Sequence, residues 1–161
     1  MLKKKLIAGL GVAALSVTSL SAIAQEAAGN VDATGCLHVV TDVIAHTPQR
    51  MVGTLMTTAS ARSKVPNGLF DNNGYRCVGY FSVIDGKYYE EGYCEGVNPK
   101  GDRWLAFVSG DGQKGTWSMI SGTGAYDGMK GGGDYITATR FPEVKPGVAQ
   151  LCHHITGKLG K

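Results

Sequence analysis

The stretch CVGYFSVIDGKYYEEGYC, residues 77–94, predicts a β-hairpin together with its register. Its centre is Asp85-Gly86, a dipeptide typical of the two-residue loop that joins antiparallel strands. Counting outward from this loop places Cys77 opposite Cys94 at a non-hydrogen-bonded pair, where Cα atoms lie roughly 4.5 Å apart. That separation suits a disulfide. The sequence therefore predicts two strands, about 75–84 and 87–96, joined by a Cys77–Cys94 bond.

The two remaining cysteines are Cys36 and Cys152, and we expect them to form a second disulfide. The alternative is a zinc-type site, because His38, His153 and His154 lie beside these cysteines in the sequence. Adjacent residues of a strand point to opposite faces, so His153 and His154 would not converge on one ion. The sequence favours two disulfides and no metal.

The segment MLKKKLIAGLGVAALSVTSLSAIA, residues 1–24, has the features of a secretory signal peptide. It has three early lysines, then a short apolar run, then the small-residue site Ala22-Ile23-Ala24. We expect cleavage after Ala24, which leaves one domain of residues 25–161 in the periplasm or outside the cell. An uncleaved membrane anchor is the alternative.

The net charge of +3 belongs to that segment, which carries three of the 16 basic residues and none of the 13 acidic ones. The remaining chain is electrically balanced. It lacks the basic face that nucleic-acid binding requires and the polybasic cluster that binds anionic membranes. After signal removal we also expect no membrane span, so these partner classes are excluded.

Short apolar and β-branched runs separated by turn residues follow one another along the rest of the chain, without a convincing amphipathic helix. They predict strands at about 36–44, 51–60, 75–84, 87–96, 102–109, 116–121, 134–141 and 148–156. Tight connections between sequential strands favour an antiparallel, up-and-down arrangement, and eight strands close well into a small barrel. The sequence predicts an all-β, eight-stranded antiparallel barrel whose closing edge carries the Cys36–Cys152 bond. A two-sheet sandwich is the alternative.

The most glycine-rich stretch is GTWSMISGTGAYDGMKGGGDYI, residues 115–136. Its glycines do not fit a dinucleotide-binding loop, because Gly122, Gly124 and Gly128 have the wrong spacing and a strand pattern follows. A phosphate-binding Gly-Lys-Ser/Thr sequence is also missing from the stretch. We therefore assign Gly122, Gly124, Gly128 and Gly131 to a structural turn that needs positive φ angles.

The segment ISGTGAYDG, residues 120–128, followed by Gly131, resembles the glycine-rich turn of dirigent proteins, allene oxide cyclases and bacterial allene oxide cyclase-like barrels. Ser121 replaces the first glycine of that turn and Ala125 is inserted before the aromatic residue. The resemblance implies an exported bacterial member with a calycin-like barrel, often oligomeric, and an apolar cavity. Such relatives guide a reactive intermediate or cyclise an apolar substrate without a cofactor.

One face of the 77–94 hairpin carries three tyrosines and a carboxylate, which makes it a candidate catalytic surface. If this face pointed into the barrel, Glu91 would be a buried acid or base, with Tyr80 and Tyr93 as hydrogen-bond donors. The alternative is an outer face with a solvated Glu91.

A second candidate is an apolar face on the next two strands, formed by Trp104, Trp117 and Met119, which would bind a flat ligand. Arg103 begins its strand and Arg140 ends its own, so either arginine would reach a carboxylate at a barrel mouth. The alternatives are an ordinary core or subunit contact for the apolar face and solvated arginines.

These patterns lead to the hypothesis that the barrel handles a small apolar or aromatic molecule. It would bind the molecule, or guide or cyclise it without a cofactor. The alternative is a protein-binding envelope module, such as an inhibitor or an accessory subunit. An open apolar cavity with one or two polar groups would favour the first, and a filled barrel with an outer apolar patch would favour the second.

Overall fold

The computed structural model describes residues 29–161. The predicted signal peptide and its cleavage site lie outside the described residues. Eight β-strands make up most of the described chain, and one short 3-10 turn, Gly124–Tyr126, connects the sixth strand to the seventh. The strands are β1 (Gly29–Thr47), β2 (Arg50–Ser63), β3 (Asn73–Ile84), β4 (Lys87–Val97), β5 (Arg103–Gly110), β6 (Lys114–Gly122), β7 (Lys130–Arg140) and β8 (Val148–Gly160).

The strands form one closed barrel in which each is hydrogen-bonded to its neighbours in sequence and β8 returns to β1. All the strand pairs are antiparallel, so the predicted up-and-down barrel is confirmed and the sandwich is wrong. Within residues 29–161, no helix is long and apolar enough to cross a membrane.

The β3–β4 hairpin has the predicted register. Ile84 lies opposite Lys87, and Cys77 lies opposite Cys94, with their Cα atoms 4.0 Å apart across the disulfide. Both loop residues have positive φ angles, 51° at Asp85 and 76° at Gly86. This is the loop geometry whose twist matches that of the flanking strands.

The barrel closes between β1 and β8, which pair from Gly29–Leu159 to Val40–Val148. We call this pair of strands the seam. Cys36 and Cys152 lie directly opposite each other in it and form the second predicted disulfide. Cys36 is exposed, so this bond lies on the outer surface, whereas the Cys77–Cys94 bond is buried inside the barrel.

The glycine-rich stretch is a turn only in its first part. Positive φ angles occur at Gly124, Gly128 and Gly131, but Gly122 ends β6 without one. Strand β7 then begins at Lys130, four residues earlier than the sequence pattern indicates. At least one glycine of this segment serves a close approach of strands and not a turn, because a Cβ atom on Gly133 would lie 1.9 Å from the carbonyl oxygen of Thr156 in β8.

One end of the barrel is filled by four aromatic side chains, which we call the aromatic plug: Phe70, Trp104, Trp117 and Tyr126. Phe70 comes from the β2–β3 connection, and its ring centroid lies 5.3 Å from Trp104 and 5.6 Å from Trp117. The buried amide of Asn73 accepts a hydrogen bond from Trp104 Nε1 at 3.0 Å and lies 2.7 Å from the Tyr126 hydroxyl. The polar atoms of the plug are thus satisfied, and this end is closed.

Replacing Gly133 with alanine should destabilise the barrel, because the new methyl group would meet the β8 backbone. We expect a loss of about 1–3 kcal/mol in the free energy of unfolding, the usual cost of overpacking. Gly74→Ala is the matched control, since a Cβ at Gly74 in β3 would meet no atom within 4 Å. Urea unfolding of both variants measures the difference. Equal stabilities would show that the narrow contact at Gly133 does not constrain the fold.

Candidate functional site

The barrel encloses a cavity of about 480 Å³ between the aromatic plug and the opposite end. This volume lies in the range of small-molecule sites. The walls are mostly apolar, and Trp104 and Trp117 of the plug form part of the floor. Alternating residues of the strands supply the walls, among them Leu37, Val39, Leu55, Val108, Ala149 and Leu151. The opposite end, which we call the mouth, lies among the β1–β2, β3–β4, β5–β6 and β7–β8 connections.

The inner face of the β3–β4 hairpin places the carboxylate of Glu90 in the cavity wall. One oxygen of Glu90 accepts a hydrogen bond from the Tyr88 hydroxyl at 2.7 Å, and the other accepts from Tyr135 at 2.9 Å. Burial, together with the Glu90 charge, raises the pKa of both tyrosines, so they remain neutral donors. The carboxylate is therefore held in a fixed position beside the mouth.

His153 of β8 points into the same region. Its ring stacks on Tyr135, with centroids 4.7 Å apart and planes inclined by 21°. Burial, together with the smaller effect of the nearby Arg140 charge, lowers the pKa of His153 to about 4. The imidazole is thus neutral near pH 7 and can accept a hydrogen bond at one ring nitrogen.

Arg140 ends β7 and lines the mouth. Its guanidinium makes a long hydrogen bond, 3.4 Å, to the carbonyl oxygen of Gly112. No carboxylate within residues 29–161 forms an ion pair with it. The mouth therefore presents one cation that remains available to a ligand.

The structure brings only some of the sequence-predicted residues to the cavity. Trp104 and Trp117 line it, whereas Met119 is buried in the same core beside them. Arg103 lies on the outer surface, where it and Arg76 bind the two oxygens of Glu95. Of the two arginines expected at a mouth, Arg140 is at the cavity and Arg103 is not.

The tyrosine-rich face of the hairpin points outward. Tyr80 and Tyr93 are each about half exposed, 48% and 53%. Glu91 accepts hydrogen bonds from Tyr80 and Tyr89, both at 2.6 Å. These bonds lower the pKa of Glu91 and raise that of Tyr80 to about 12. Glu91 thus borders the cavity, but its carboxylate is held by tyrosines of the outer face, whereas the carboxylate held on the inner face of this hairpin is that of its neighbour Glu90.

Glu90, Tyr135 and His153 lie at the cavity although the sequence indicates none of them as a ligand-binding residue; His153 entered only in the zinc alternative. One signal was present for Glu90: its face of the hairpin also carries Gly79 and Gly92, and small residues suit the concave side of a small barrel. No sequence signal brings Tyr135 and His153 to Glu90, because only barrel closure places β7 and β8 opposite β4 across the interior.

The zinc alternative is excluded by the disulfides, which leave no thiolate ligand among residues 29–161. His153 faces the cavity, while His154 faces outward and lies 2.8 Å from Asp32. Within the same residues, no three His, Cys, Asp or Glu side chains form a group that could hold a metal ion.

Replacing His153 with glutamine should make the fold less sensitive to acid. The folded pKa lies below the unfolded value near 6.5, so the unfolded chain binds the extra proton as the pH falls from about 6.5 towards 4. When the pH is lowered from about 7 to about 4.5, the free energy of unfolding should fall by about 2 kcal/mol more in the unsubstituted protein than in the His153→Gln variant. Urea unfolding at the two pH values tests this. Equal losses would mean that His153 is not buried in its neutral form.

No protein-family model matches this chain, and no curated protein matches its sequence. A solved structure described as the pterocarpan synthase dirigent protein GePTS1 is similar in fold, with a TM-score of 0.52 and 11% sequence identity. The likeness covers 89% of this chain and 96% of that one. This likeness shows that the chain shares the barrel fold of that protein.

Proposed function

We propose that this protein binds a small, mainly apolar molecule inside its barrel and holds it in one orientation. The observation that carries the proposal is the cavity of about 480 Å³, which has apolar walls and a few polar groups gathered at its mouth. Sites of this composition bind small molecules by burying their apolar surface and orienting them through a few polar contacts. The likeness in fold to a dirigent protein supports a guiding role.

The residues at the mouth have different roles in orienting the ligand. Glu90 accepts one tyrosine hydroxyl on each of its oxygens, so its first role is to position Tyr88 and Tyr135. His153 offers a neutral acceptor and Arg140 a cation. A ligand hydroxyl would donate to His153 and accept from Arg140, and negative charge that develops there would be stabilised by Arg140. By fixing the orientation of the ligand, His153 and Arg140 would determine which product a guided reaction gives.

A cavity of this kind would act without a resident cofactor, as a cyclase, as a dirigent-like guide or as a carrier. The two disulfides suit a protein that folds in an oxidising compartment, and we propose that it works in the periplasm or after secretion.

A second candidate function, a protein-binding module, is favoured by an apolar row on the outer surface. Val40, Met56, Val78, Tyr93 and Phe107 lie side by side across strands β1–β5. The first four are between 43% and 64% exposed. Exposed apolar rows of this kind are found at interaction sites. Val78→Lys would weaken a complex that used this row and leave ligand binding in the cavity intact.

Binding of the fluorescent apolar probe N-phenylnaphthylamine tests the first function. We expect the probe to bind the native protein with increased, blue-shifted emission. Ala149→Trp should weaken binding by roughly tenfold or more, since Ala149 lines the cavity and the indole would occupy it.

The matched control is Gln150→Trp, which adds the same side chain to the same strand on the exposed face. This variant should bind the probe as the native protein does. Equal affinity of Ala149→Trp and the native protein would show that the probe does not enter the cavity, and the proposed function would then lose its support.

A further inference from the structure

We propose that the Cys36–Cys152 disulfide is a site of thiol–disulfide exchange with a small dithiol, and that its reduction lets one half of the β1–β8 seam open beside the cavity. The exchange site goes beyond the proposed function, because it depends only on the outer surface of the barrel. The passage of a ligand through the opened seam rests on that function.

The two disulfides differ in their access to solvent. Cys36 is exposed and Cys152 is half-buried, and both line a groove of about 390 Å³ on the outer surface. Cys77 and Cys94 are only 7% and 5% exposed and lie inside the barrel. Exchange requires a thiolate to reach a sulfur atom, so access determines which bond reacts. A dithiol in solution therefore reaches the seam disulfide first.

The exchange reaction balances between the two partners. A thiolate of the dithiol attacks the sulfur of the exposed Cys36, the Cys36–Cys152 bond breaks, and Cys152 leaves as a thiolate that takes up a proton. The second thiol of the dithiol, also as a thiolate, then displaces Cys36 from the mixed disulfide, and Cys36 is protonated. The dithiol loses two protons and two electrons and becomes a disulfide, and the two cysteines gain them and become thiols.

The seam differs from the other strand pairs in how its two strands are joined. Every other pair of the described barrel consists of strands that follow each other in the chain, so a connecting segment links them. Strands β1 and β8 are the first and the last, and within residues 29–161 the Cys36–Cys152 bond is their one direct covalent link. After reduction, only hydrogen bonds and side-chain packing hold the seam closed.

The part of the seam between the disulfide and the mouth is a wall of the cavity. We call it the mouth half: residues 37–40 of β1 and 148–151 of β8. Leu37 and Val39 line the cavity, and so do the β8 residues opposite them. The pairing of β1 with β8 ends at Val40, so the disulfide holds the mouth half at one end while the other end is free. Strand ends open locally before the rest of a fold, so this half would open after reduction.

The other half of the seam should stay closed. This plug-side half consists of residues 29–35 of β1 and 153–159 of β8. Val31, Ala33 and Leu159 are buried in the core that includes the aromatic plug. Their burial opposes separation of the strands there. Reduction therefore produces a local opening beside the cavity and not the unfolding of the barrel.

Limited reduction of the full protein tests the exchange site. We expect dithiothreitol to reduce Cys36–Cys152 roughly tenfold or more faster than Cys77–Cys94, because only the first bond lies at the surface. Alkylation with N-ethylmaleimide at timed intervals, followed by peptide mass analysis, identifies the cysteines that have become thiols. Equal rates for the two bonds, or earlier reduction of the inner bond, would show that the exchange site is wrong.

Probe kinetics on the selectively reduced protein test the opening of the seam. Association and dissociation of N-phenylnaphthylamine should both become faster, by roughly threefold or more, because the opened seam adds a second route to the cavity. The Kd should change by less than about twofold, since the closed site is unaltered. Amide hydrogen exchange should become faster in the mouth half and remain unchanged in the plug-side half.

A relocated crosslink is the matched control. The variant Cys36→Ser/Cys152→Ser should release the probe as fast as the reduced protein does. Adding His38→Cys and Gln150→Cys to this variant restores a crosslink two residues nearer the mouth, at a directly opposite pair of the same type. Slow release should then return. Fast release from the relinked protein would show that the crosslink does not control the seam.

Failure of the seam and failure of the proposed function give different results. If the probe binds but its kinetics do not change on selective reduction, the opening of the seam is wrong and the proposed function stands. If the probe does not bind the native protein, the proposed function fails, and hydrogen exchange alone decides whether the seam opens. Faster exchange in the mouth half supports the opening, and unchanged exchange there overturns it.

Discussion

Closure of β8 on β1 is the constraint on which the rest of the structure depends. It gives every strand two hydrogen-bonded neighbours. It also makes alternate side chains of each strand point into the barrel or out to solvent. The Cys36–Cys152 bond joins residues 116 positions apart across this seam. By the loop-entropy argument, a crosslink of that span stabilises the fold by about 4–5 kcal/mol. A barrel with an incompletely filled interior benefits from such a crosslink, because its cavity provides little apolar packing.

The interior is divided unevenly, and this division makes a site possible. The aromatic plug and Asn73 concentrate tight packing at one end. In the middle of the barrel, the Cys77–Cys94 bond and small side chains such as that of Ala106 line the cavity and leave its volume unfilled. Gly133 lets β7 approach β8 closely beside the plug. Space is thus left towards the mouth, where Glu90, Tyr135 and His153 hold one another in place. An empty apolar space reduces stability, and proteins keep such features where function requires them.

The hairpin and its disulfide could be predicted because the information is local: Asp85-Gly86 fixes the register, and the register fixes the cysteine pair. The eight strands followed from turn residues, and the second disulfide followed because Cys36 and Cys152 were the two cysteines left after the hairpin pair was assigned. The face that points inward could not be predicted in the same way, since a period of two is symmetric and both faces carry tyrosine and glutamate. Glu90 and Glu91 differ by one position, and only the curvature of the closed barrel places Glu90 inside.

On the proposed function, the ligand lies inside the barrel and not on its outer apolar row. The most direct test is nuclear magnetic resonance with labelled methyl groups and bound N-phenylnaphthylamine. Leu55 and Met56 are neighbours on β2, but Leu55 lines the cavity and Met56 is 64% exposed on the outside. We predict nuclear Overhauser contacts from the probe to the Leu55 methyl groups and none to that of Met56. Contacts to Met56 without any to Leu55 would place the binding site on the outer surface of the barrel.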